Sequence, residues 1–253
     1  MSTALIGHTG FVGSSLLRQA HFDAVYNSQN IESIQGTRHE LLFCAGAPGV
    51  KRRANAAPEE DHAAIMRLID NLKTIQVQQF VLISTVDVYT DPVEVDEDTI
   101  PSIAGLPPYG AHRRMLEEFA GAQFCSTIVR LPGLFGPGLR KNAIYDLLNN
   151  HLEYLNPNDI FQYYDISHLY SDIHKTLDYG ISLINIATEP LNVGFVAHEV
   201  FGVNLDAEPS KDHAHYDVRT KHARLWNKPG EYLYSKDEVL NDLKNLLGEM
   251  NDE

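Results

Sequence analysis

Short apolar runs of strand length recur along the chain and alternate with stretches of helical period. The clearest runs are residues 4–6, 24–26, 41–45, 80–83, 127–131 and 183–187. Apolar strands that alternate with helices are typical of a parallel sheet covered on both faces. The pattern therefore predicts an α/β fold with a doubly wound parallel sheet of the Rossmann type.

Two amphipathic helices stand out from the spacing of apolar residues. One apolar stripe follows the spacing i, i+3, i+4, i+7, i+10 and consists of Ile65, Leu68, Ile69, Leu72 and Ile75. Near the end of the chain, Ser235 stands three residues before Glu238, which is the spacing of a capping box. A second stripe follows it and consists of Val239, Leu240, Leu243 and Leu247. Both stripes predict helices that pack against a core.

The order of these elements predicts two regions. Residues 1–135 are expected to form a dinucleotide-binding domain, to which residues from about 161 to 188 return. Residues 136–160 and 189–253 are expected to form a small C-terminal substrate region. Between the fourth strand and the next helix, residues 91–108 contain four prolines and several acids, which predicts a long loop of the kind that often carries function.

Composition narrows the class of protein. The chain has 253 residues and a net charge of −14 at pH 7, and its longest basic run is residues 51–53, so we expect no nucleic-acid partner. Two cysteines, no long apolar stretch and no basic leader favour a cytoplasmic protein outside the membrane. None of the twelve histidines falls in a metal-binding motif, so we expect no metal. A homodimer is left open.

A glycine-rich turn directly follows the first strand and opens a helix. Its glycines are Gly7, Gly10 and Gly13, and Thr9, Phe11 and Val12 lie between them. Glycines in this position suit a tight turn and the close approach of a pyrophosphate to the helix N-terminus. The turn predicts a dinucleotide site that includes all six residues.

The end of the second strand bears on the choice of cofactor. An acid there would bind the adenosine ribose of NAD, but the chain has Asn27 and Ser28 instead. Both can donate hydrogen bonds to a 2′-phosphate, so NADP is slightly favoured and NAD stays open. Cys44, Ala45 and Gly46 end the third strand and are expected beside the cofactor.

Candidate catalytic residues follow the fourth strand and the acidic loop. Ser84 and Thr85 end that strand, and Tyr109 and Arg113 stand four residues apart in the next helical segment. Residues at i and i+4 lie on one side of a helix, so both point toward the strand end that Thr85 occupies. A phenol with a pKa near ~10 needs a neighbouring cation to act as a base at neutral pH.

Together these motifs resemble the extended short-chain dehydrogenase/reductases, the NAD-dependent epimerase/dehydratase family. The likeness runs along nearly the whole chain, through residues 7–13, 84–89, 97–99 with 108–110, 130–138 and 217–229. It implies that Tyr109 is the general acid/base, that Thr85 orients the substrate oxygen and that Arg113 occupies the position of a lysine. It also implies that Ser84, Tyr109 and Arg113 contact the cofactor and that Pro132 lies against the nicotinamide.

Several positions depart from the pattern that the resemblance implies. Gly133 and Asp61 stand where the family often has asparagine, and the first of these asparagines commonly contacts a nucleotide sugar. Asp87, Arg219 and Lys221 are candidates for substrate contact, the last two through an anionic group.

The resemblance implies an NAD(P)-dependent oxidoreductase or epimerase that transfers a hydride between nicotinamide and a hydroxyl or carbonyl carbon of a sugar-like or sugar-nucleotide substrate. The alternative is a dinucleotide-binding sensor or assembly protein with little or no turnover. Arg113, which cannot exchange a proton as lysine does, keeps that alternative open.

Overall fold

A computed structural model describes residues 2–206 and 213–251. The chain forms two compact units, each built from three segments. Unit 1 comprises residues 1–90, 100–130 and 167–184, and unit 2 comprises residues 91–99, 131–166 and 185–253. The chain thus leaves unit 1 at the acidic loop, well before residue 135. Among the described residues, no helix combines the length and apolar character needed to cross a bilayer.

The elements alternate along much of the chain as the apolar pattern predicts. The strands in the described part are β1 (Thr3–Ile6), β2 (Ala24–Tyr26), β3 (Arg38–Cys44), β4 (Gln76–Thr85), β5 (Val93–Val95), β6 (Ser126–Leu131), β7 (Gly133–Phe135), β8 (Ile160–Phe161), β9 (Tyr163–Asp165), β10 (Leu183–Asn185), β11 (Leu191–Asn192) and β12 (Asp217–Val218). The α-helices there are α1 (Phe11–Gln19), α2 (Lys51–Ala56), α3 (Pro58–Leu72), α4 (Pro108–Gln123), α5 (Ala143–Leu148), α6 (Leu169–Asp178), α7 (Val193–Phe201) and α8 (Lys236–Asn251).

The central sheet has six strands in the order β10-β6-β4-β3-β1-β2. Strand β1 pairs in parallel with β2 and β3, and β3 pairs in parallel with β4. Each of the six predicted apolar runs overlaps one of these strands, and the predicted Rossmann-type fold is confirmed. The strand order reverses at β1, whose neighbours are β2 on one side and β3 on the other. In open α/β sheets, the crevice at the carboxyl ends of such strands is where ligands bind.

Unit 1 packs its predicted helix stripe against the sheet. Ile65, Leu68, Ile69 and Leu72 are buried on α3 and pack with Leu42 and Leu82 of the central strands. Ile75 is also buried, but it follows the helix, which ends at Leu72.

Unit 2 is built around α8 and the short strands. Ser235 and Glu238 form the predicted capping box: the Ser235 backbone nitrogen donates to the Glu238 carboxylate at 2.8 Å. Val239, Leu240 and Leu243 are buried as predicted, and Leu246 is more buried than Leu247. In the acidic loop, β5 pairs in parallel with β12. The loop is therefore less irregular than its prolines suggest.

Candidate active site

The glycine-rich turn closes tightly on the end of β3. Gly7 has φ of +87°, and a Cβ there would lie 2.2 Å from the carbonyl oxygen of Ala45. A Cβ at Gly13 would lie 2.1 Å from the carbonyl oxygen of Gly7. No side chain fits at either position, so these two glycines bring α1 close to the sheet.

Gly10 differs from Gly7 and Gly13 because a Cβ there would make only a slightly short contact with the turn. Its φ is −79°, and a Cβ would lie 3.3 Å from the carbonyl oxygen of Gly7. Gly10 is the N-cap of α1, and it is exposed together with Thr9, whereas Phe11 and Val12 are half-buried. The glycine leaves the N-terminus of α1 accessible, and a helix N-terminus attracts anions.

At the end of β2, polar groups take the place of an acid. The Asn27 carboxamide oxygen accepts from the Gln29 backbone nitrogen at 2.8 Å. The Asn27 amide nitrogen lies 3.5 Å from Nε2 of His8, whose Nδ1 lies 3.0 Å from the carbonyl oxygen of Tyr26. Ser28 is exposed. Asn27 thus lies beside the glycine-rich turn, with the imidazole of His8 as a second polar group.

At the end of β3, main-chain atoms of Ala45 and Gly46 lie against Gly7 of the turn. Cys44 is fully buried, and this burial raises the pKa of its thiol to about 12. Its side chain is therefore an inert part of the core. A Cβ added at Gly46 would lie 2.8 Å from Cγ2 of Ile6, so this segment also approaches β1 closely.

Thr85, Tyr109 and Arg113 come together as the sequence predicts. Thr85 is the last residue of β4, and its side chain lies close enough to the phenol of Tyr109 to lower the pKa of that phenol. The same hydroxyl oxygen accepts from the Asp87 backbone nitrogen at 3.1 Å. The Arg113 guanidinium carbon lies 4.0 Å from the centre of the Tyr109 ring, which is a cation–π contact.

The electrostatics of Tyr109 combine opposing effects. Burial raises the pKa of its phenol and is the largest contribution. The charges of Arg113 and Lys51 and the nearby Thr85 side chain lower this pKa, while the charge of Asp87 raises it. Arg113 thus acts in the direction expected from the sequence, but burial acts more strongly, so the pKa stays above its ordinary value.

Arg113 is nearly enclosed and is paired with Asp61 of α3. Its Nη2 donates to Oδ1 of Asp61 at 2.9 Å, and its Nη1 donates to Oδ2. Nη2 also donates to the carbonyl oxygen of Pro48. Burial alone would raise the pKa of Asp61, but hydrogen bonds from Arg113 and His112 hold it below its ordinary value. The buried Nε of Arg113 has no partner among the described residues.

Helix α4 begins in direct contact with the end of β4. A Cβ added at Gly110 would lie 2.1 Å from the carbonyl oxygen of Asp87. Only a residue without a side chain allows this approach. It sets the distance between Tyr109, which precedes Gly110, and Thr85.

A second buried ion pair holds the same helix farther along. Nε and Nη2 of Arg130 donate to the two carboxylate oxygens of Glu117 at 2.9 and 2.7 Å. Ser84 donates its hydroxyl to Glu117 at 2.6 Å, and Arg130 donates to the Tyr89 hydroxyl at 2.8 Å. Glu117 and Arg130 are each 1% exposed. The predicted cofactor contact of Ser84 therefore competes with a hydrogen bond inside the protein.

Asp61 and Glu117 have roles that the motifs alone did not reveal. Both are charged residues at positions where their helices are buried, and Glu117 lies next to Leu116 on the inward side of α4. A charged residue within an apolar stripe is the signal that could have found them, since buried charges are almost always paired.

The candidate substrate residues all take part in ion pairs. Nζ of Lys51 lies 2.6 Å from Oδ1 of Asp87. In unit 2, Lys221 pairs with Asp98. Arg219 lies within 3.2 Å of carboxylates that belong to Glu94, Asp217 and Glu231.

Two further positions from the sequence analysis lie at the start of β7. Pro132 follows β6 directly and is half-buried. A Cβ added at Gly133 would lie 2.8 Å from the carbonyl oxygen of Gln162, so the local backbone leaves no room for an asparagine there.

Comparison with solved structures places the fold in a known class. UDP-glucose 4-epimerase from Thermotoga maritima, solved with UDP-glucose, superposes with a TM-score of 0.71 at 17% identity and covers 100% of this chain and 99% of its own. UDP-N-acetylglucosamine 4-epimerase from Methanobrevibacter ruminantium M1, solved with UDP-N-acetylmuramic acid, superposes with a TM-score of 0.75 at 13% identity. The match covers 99% of this chain and 98% of the epimerase. RMD from Pseudomonas aeruginosa, complexed with NADPH, superposes with a TM-score of 0.68 at 17% identity. The match covers 97% of this chain and 99% of RMD.

The fold and the site thus define a Rossmann-type protein of the extended dehydrogenase/reductase kind. The family model of the NAD-dependent epimerase/dehydratase family matches residues 24–154, which include Thr85, Tyr109 and Arg113. The chain belongs to this enzyme family, and the resemblance that its motifs carry is confirmed. No curated protein sequence gave a significant match.

We expect Gly110→Ala to disturb the site, although it adds only one methyl group. The added methyl group collides with the Asp87 carbonyl, so the start of α4 must move and carry Tyr109 away from Thr85. The free energy of unfolding should fall by about 1–3 kcal/mol, the usual cost of overpacking. Chemical denaturation checks this. Gly121→Ala is the control on the same helix, where a Cβ meets nothing within 4 Å and should be neutral or stabilising. Equal effects of both variants would contradict the role of Gly110.

We also expect Glu117→Gln to destabilise the protein strongly. It leaves the guanidinium of Arg130 buried without a counter-charge, which costs about 3–5 kcal/mol. Glu118→Gln, the exposed neighbour, removes only a surface ion pair with Arg114 and should cost less than about 1 kcal/mol. Thermal unfolding of both variants provides the measurement, and similar melting temperatures would show that the buried pair contributes little.

Proposed function

We propose that the protein catalyses reversible hydride transfer between a bound nicotinamide dinucleotide and a carbon that carries a hydroxyl or carbonyl group, with Tyr109 moving the proton. The observation that carries this proposal is the arrangement of Tyr109, whose ring lies 4.0 Å from the Arg113 guanidinium and whose phenol lies near the Thr85 side chain. Membership of the NAD-dependent epimerase/dehydratase family supports the same reaction class.

The residues around the turn fit a dinucleotide. The accessible N-terminus of α1 at Gly10 suits a pyrophosphate, and main-chain atoms of Ala45 and Gly46 lie against Gly7 of the same turn. The Nε of Arg113 is buried and has no hydrogen-bond partner among the described residues, so it is a donor of the kind that a ribose hydroxyl would satisfy. When bound, the nicotinamide supplies a site that accepts or returns a hydride at its C4.

The side chains divide the remaining work of the reaction. Thr85 orients the substrate oxygen, and Tyr109 takes up or returns the proton of that oxygen at its phenol. A pKa above the ordinary value keeps Tyr109 protonated at neutral pH before the cofactor binds, which suits proton donation to a carbonyl. The guanidinium of Arg113 stabilises the phenolate when the proton has left.

For the substrate, we propose a sugar joined to a nucleoside diphosphate, or a related sugar. The epimerases that resemble this chain were solved with UDP-glucose and UDP-N-acetylmuramic acid. Gly133 leaves no room for an asparagine that would contact a nucleotide sugar, so another residue would have to make that contact. Arg219 and Lys221 are the cationic candidates, and each would have to exchange a carboxylate partner for the substrate anion.

For the cofactor, we expect a small preference for NADP over NAD. Asn27 and Ser28 leave no carboxylate at the end of β2 to repel a 2′-phosphate, and no arginine is there to bind it strongly. Calorimetric titration with both cofactors measures the preference, and clearly tighter binding of NAD would contradict it.

Gly10→Val should weaken the binding of both cofactors because the valine side chain covers the N-terminus of α1. Unchanged affinity would count against this cofactor site.

Tyr109→Phe should separate binding from chemistry. The substitution keeps the aromatic ring under Arg113 and removes only the ionisable oxygen. Cofactor affinity should stay the same while kcat falls by about 10²–10⁴-fold, the range for a lost general acid/base. Turnover is measured with a panel of nucleotide sugars and free sugars, by NMR of the products and by deuteride transfer from labelled reduced cofactor.

Two outcomes of the same assay distinguish the alternatives. Deuteride transfer that depends on Tyr109 supports the enzyme. Tight cofactor binding with no transfer to any sugar, and no effect of Tyr109→Phe, would instead indicate a dinucleotide-binding sensor.

A further inference from the structure

The carboxylate of Asp61 encloses Arg113 in a way that a surface ion pair does not. Asp61 is 6% exposed and Arg113 is 3% exposed. Both terminal nitrogens of the guanidinium donate to this single carboxylate. A guanidinium removed from water needs such a partner because its desolvation is costly.

The same contacts fix where the guanidinium lies. Nη1 of Arg113 also donates to the Tyr109 carbonyl oxygen at 3.1 Å, and Nη2 donates to the Pro48 carbonyl oxygen. Asp61 is the only charged group among these acceptors, and it holds the guanidinium from α3, the neighbouring helix. The guanidinium carbon then lies 4.0 Å from the centre of the Tyr109 ring.

Asp61 is itself held in place by a further contact. Nδ1 of His112 lies 2.8 Å from Oδ2 of Asp61, and the His112 ring makes an edge contact with His62 at 5.3 Å between centroids. The carboxylate thus has partners on two successive residues of α4, His112 and Arg113. This fixes both of its oxygens and leaves it little freedom to rotate.

We propose that Asp61 is a positioning residue for the reaction: it holds the Arg113 guanidinium against the Tyr109 ring and affects the Tyr109 proton only through Arg113. The acid at 61 and the arginine at 113 then form one functional unit. This inference rests on the proposed role of Tyr109 as the proton-transfer residue.

The direct test is the titration of the Tyr109 phenol in the protein without cofactor or substrate. Carbon-13 labelling of tyrosine and NMR follow the titration, and Tyr109→Phe identifies the resonance. The charged groups that face Tyr109 are Arg113, Lys51 and Asp87, and none of the three is substituted in the Asp61 single variants. This readout needs no turnover. The positioning role of Asp61 can therefore be contradicted while the proposed reaction holds, and it can be supported while the proposed reaction fails.

Asp61→Asn should raise the pKa of Tyr109. The asparagine side chain introduced at this position has an NH2 group in place of one carboxylate oxygen, and this group cannot accept a hydrogen bond from the guanidinium. Arg113 therefore shifts and stabilises the Tyr109 phenolate less. We expect a rise of roughly 0.5–1 unit and a fall of about tenfold in kcat with little change in KM. In an Arg113→Gln background, the same substitution should leave the Tyr109 titration unchanged.

Two controls separate positioning from stability. Asp61→Glu keeps the carboxylate and should restore most of the wild-type titration. Glu60→Gln removes the neighbouring exposed acid of α3, which pairs with Arg53, and should change nothing.

Three results would overturn the proposal. The first is an Asp61→Asn protein that melts at a lower temperature with an unshifted Tyr109 titration, which indicates a purely structural pair. The second is a downward shift, which indicates a direct effect of the lost charge. The third is a shift that persists in the Arg113→Gln background. If Asp61→Asn alone does not fold, the comparison of Arg113→Gln with the double variant decides: equal titrations support the proposal, and different ones contradict it.

Discussion

The buried pair of Glu117 and Arg130 is the interaction on which the rest of the site depends. It joins α4 to β6, and the Ser84 hydroxyl adds the end of β4 to the same carboxylate. A buried ion pair is seldom the most stable way to fill a core, because both groups lose their hydration. It is directional, however: the two parallel hydrogen bonds form only when helix and strand have one relative placement. That placement also carries Tyr109 and Arg113, two turns and one turn earlier on the same helix.

Helix α4 is fixed at three levels along its length. At its start, Gly110 touches the Asp87 carbonyl, with no side chain between them. One turn later Arg113 is bound to Asp61 of α3, and one turn beyond that Glu117 is bound to Arg130. The first contact sets how near the phenol comes to Thr85, and the second sets the charge beside it. A reactive tyrosine on a helix is thus positioned by main chain and by buried charges, without relying on a flexible loop.

Much of the fold could be predicted because its signals are local. The six apolar runs, the α3 stripe and the Ser235 capping box are each visible within a few residues of sequence. They are confirmed, except that Ile75 of the stripe follows α3 instead of lying on it. The pairings between distant segments were not visible: Asp61 reaches Arg113 across 52 residues, and β5 in the acidic loop pairs with β12 more than 120 residues later. Periodicity reports which face of an element is buried, but it does not report which other element covers that face. The positions of Thr85, Tyr109 and Arg113 were predictable because a helix spacing and a strand end define them.

The three-segment construction of unit 1 affects how the chain can fold as it is synthesised. The strand β10 (Leu183–Asn185) is the edge neighbour of β6, and α6 (Leu169–Asp178) supplies Tyr170, which stacks on Phe43 of β3. Both elements leave the ribosome only after all of the segment 131–166, which belongs to unit 2. Until then the edge of β6 and the apolar surface around Phe43 are uncovered, and such edges template association with other chains. A nascent chain that ends before residue 185 should therefore depend on chaperones, although it already contains every residue proposed here for proton transfer.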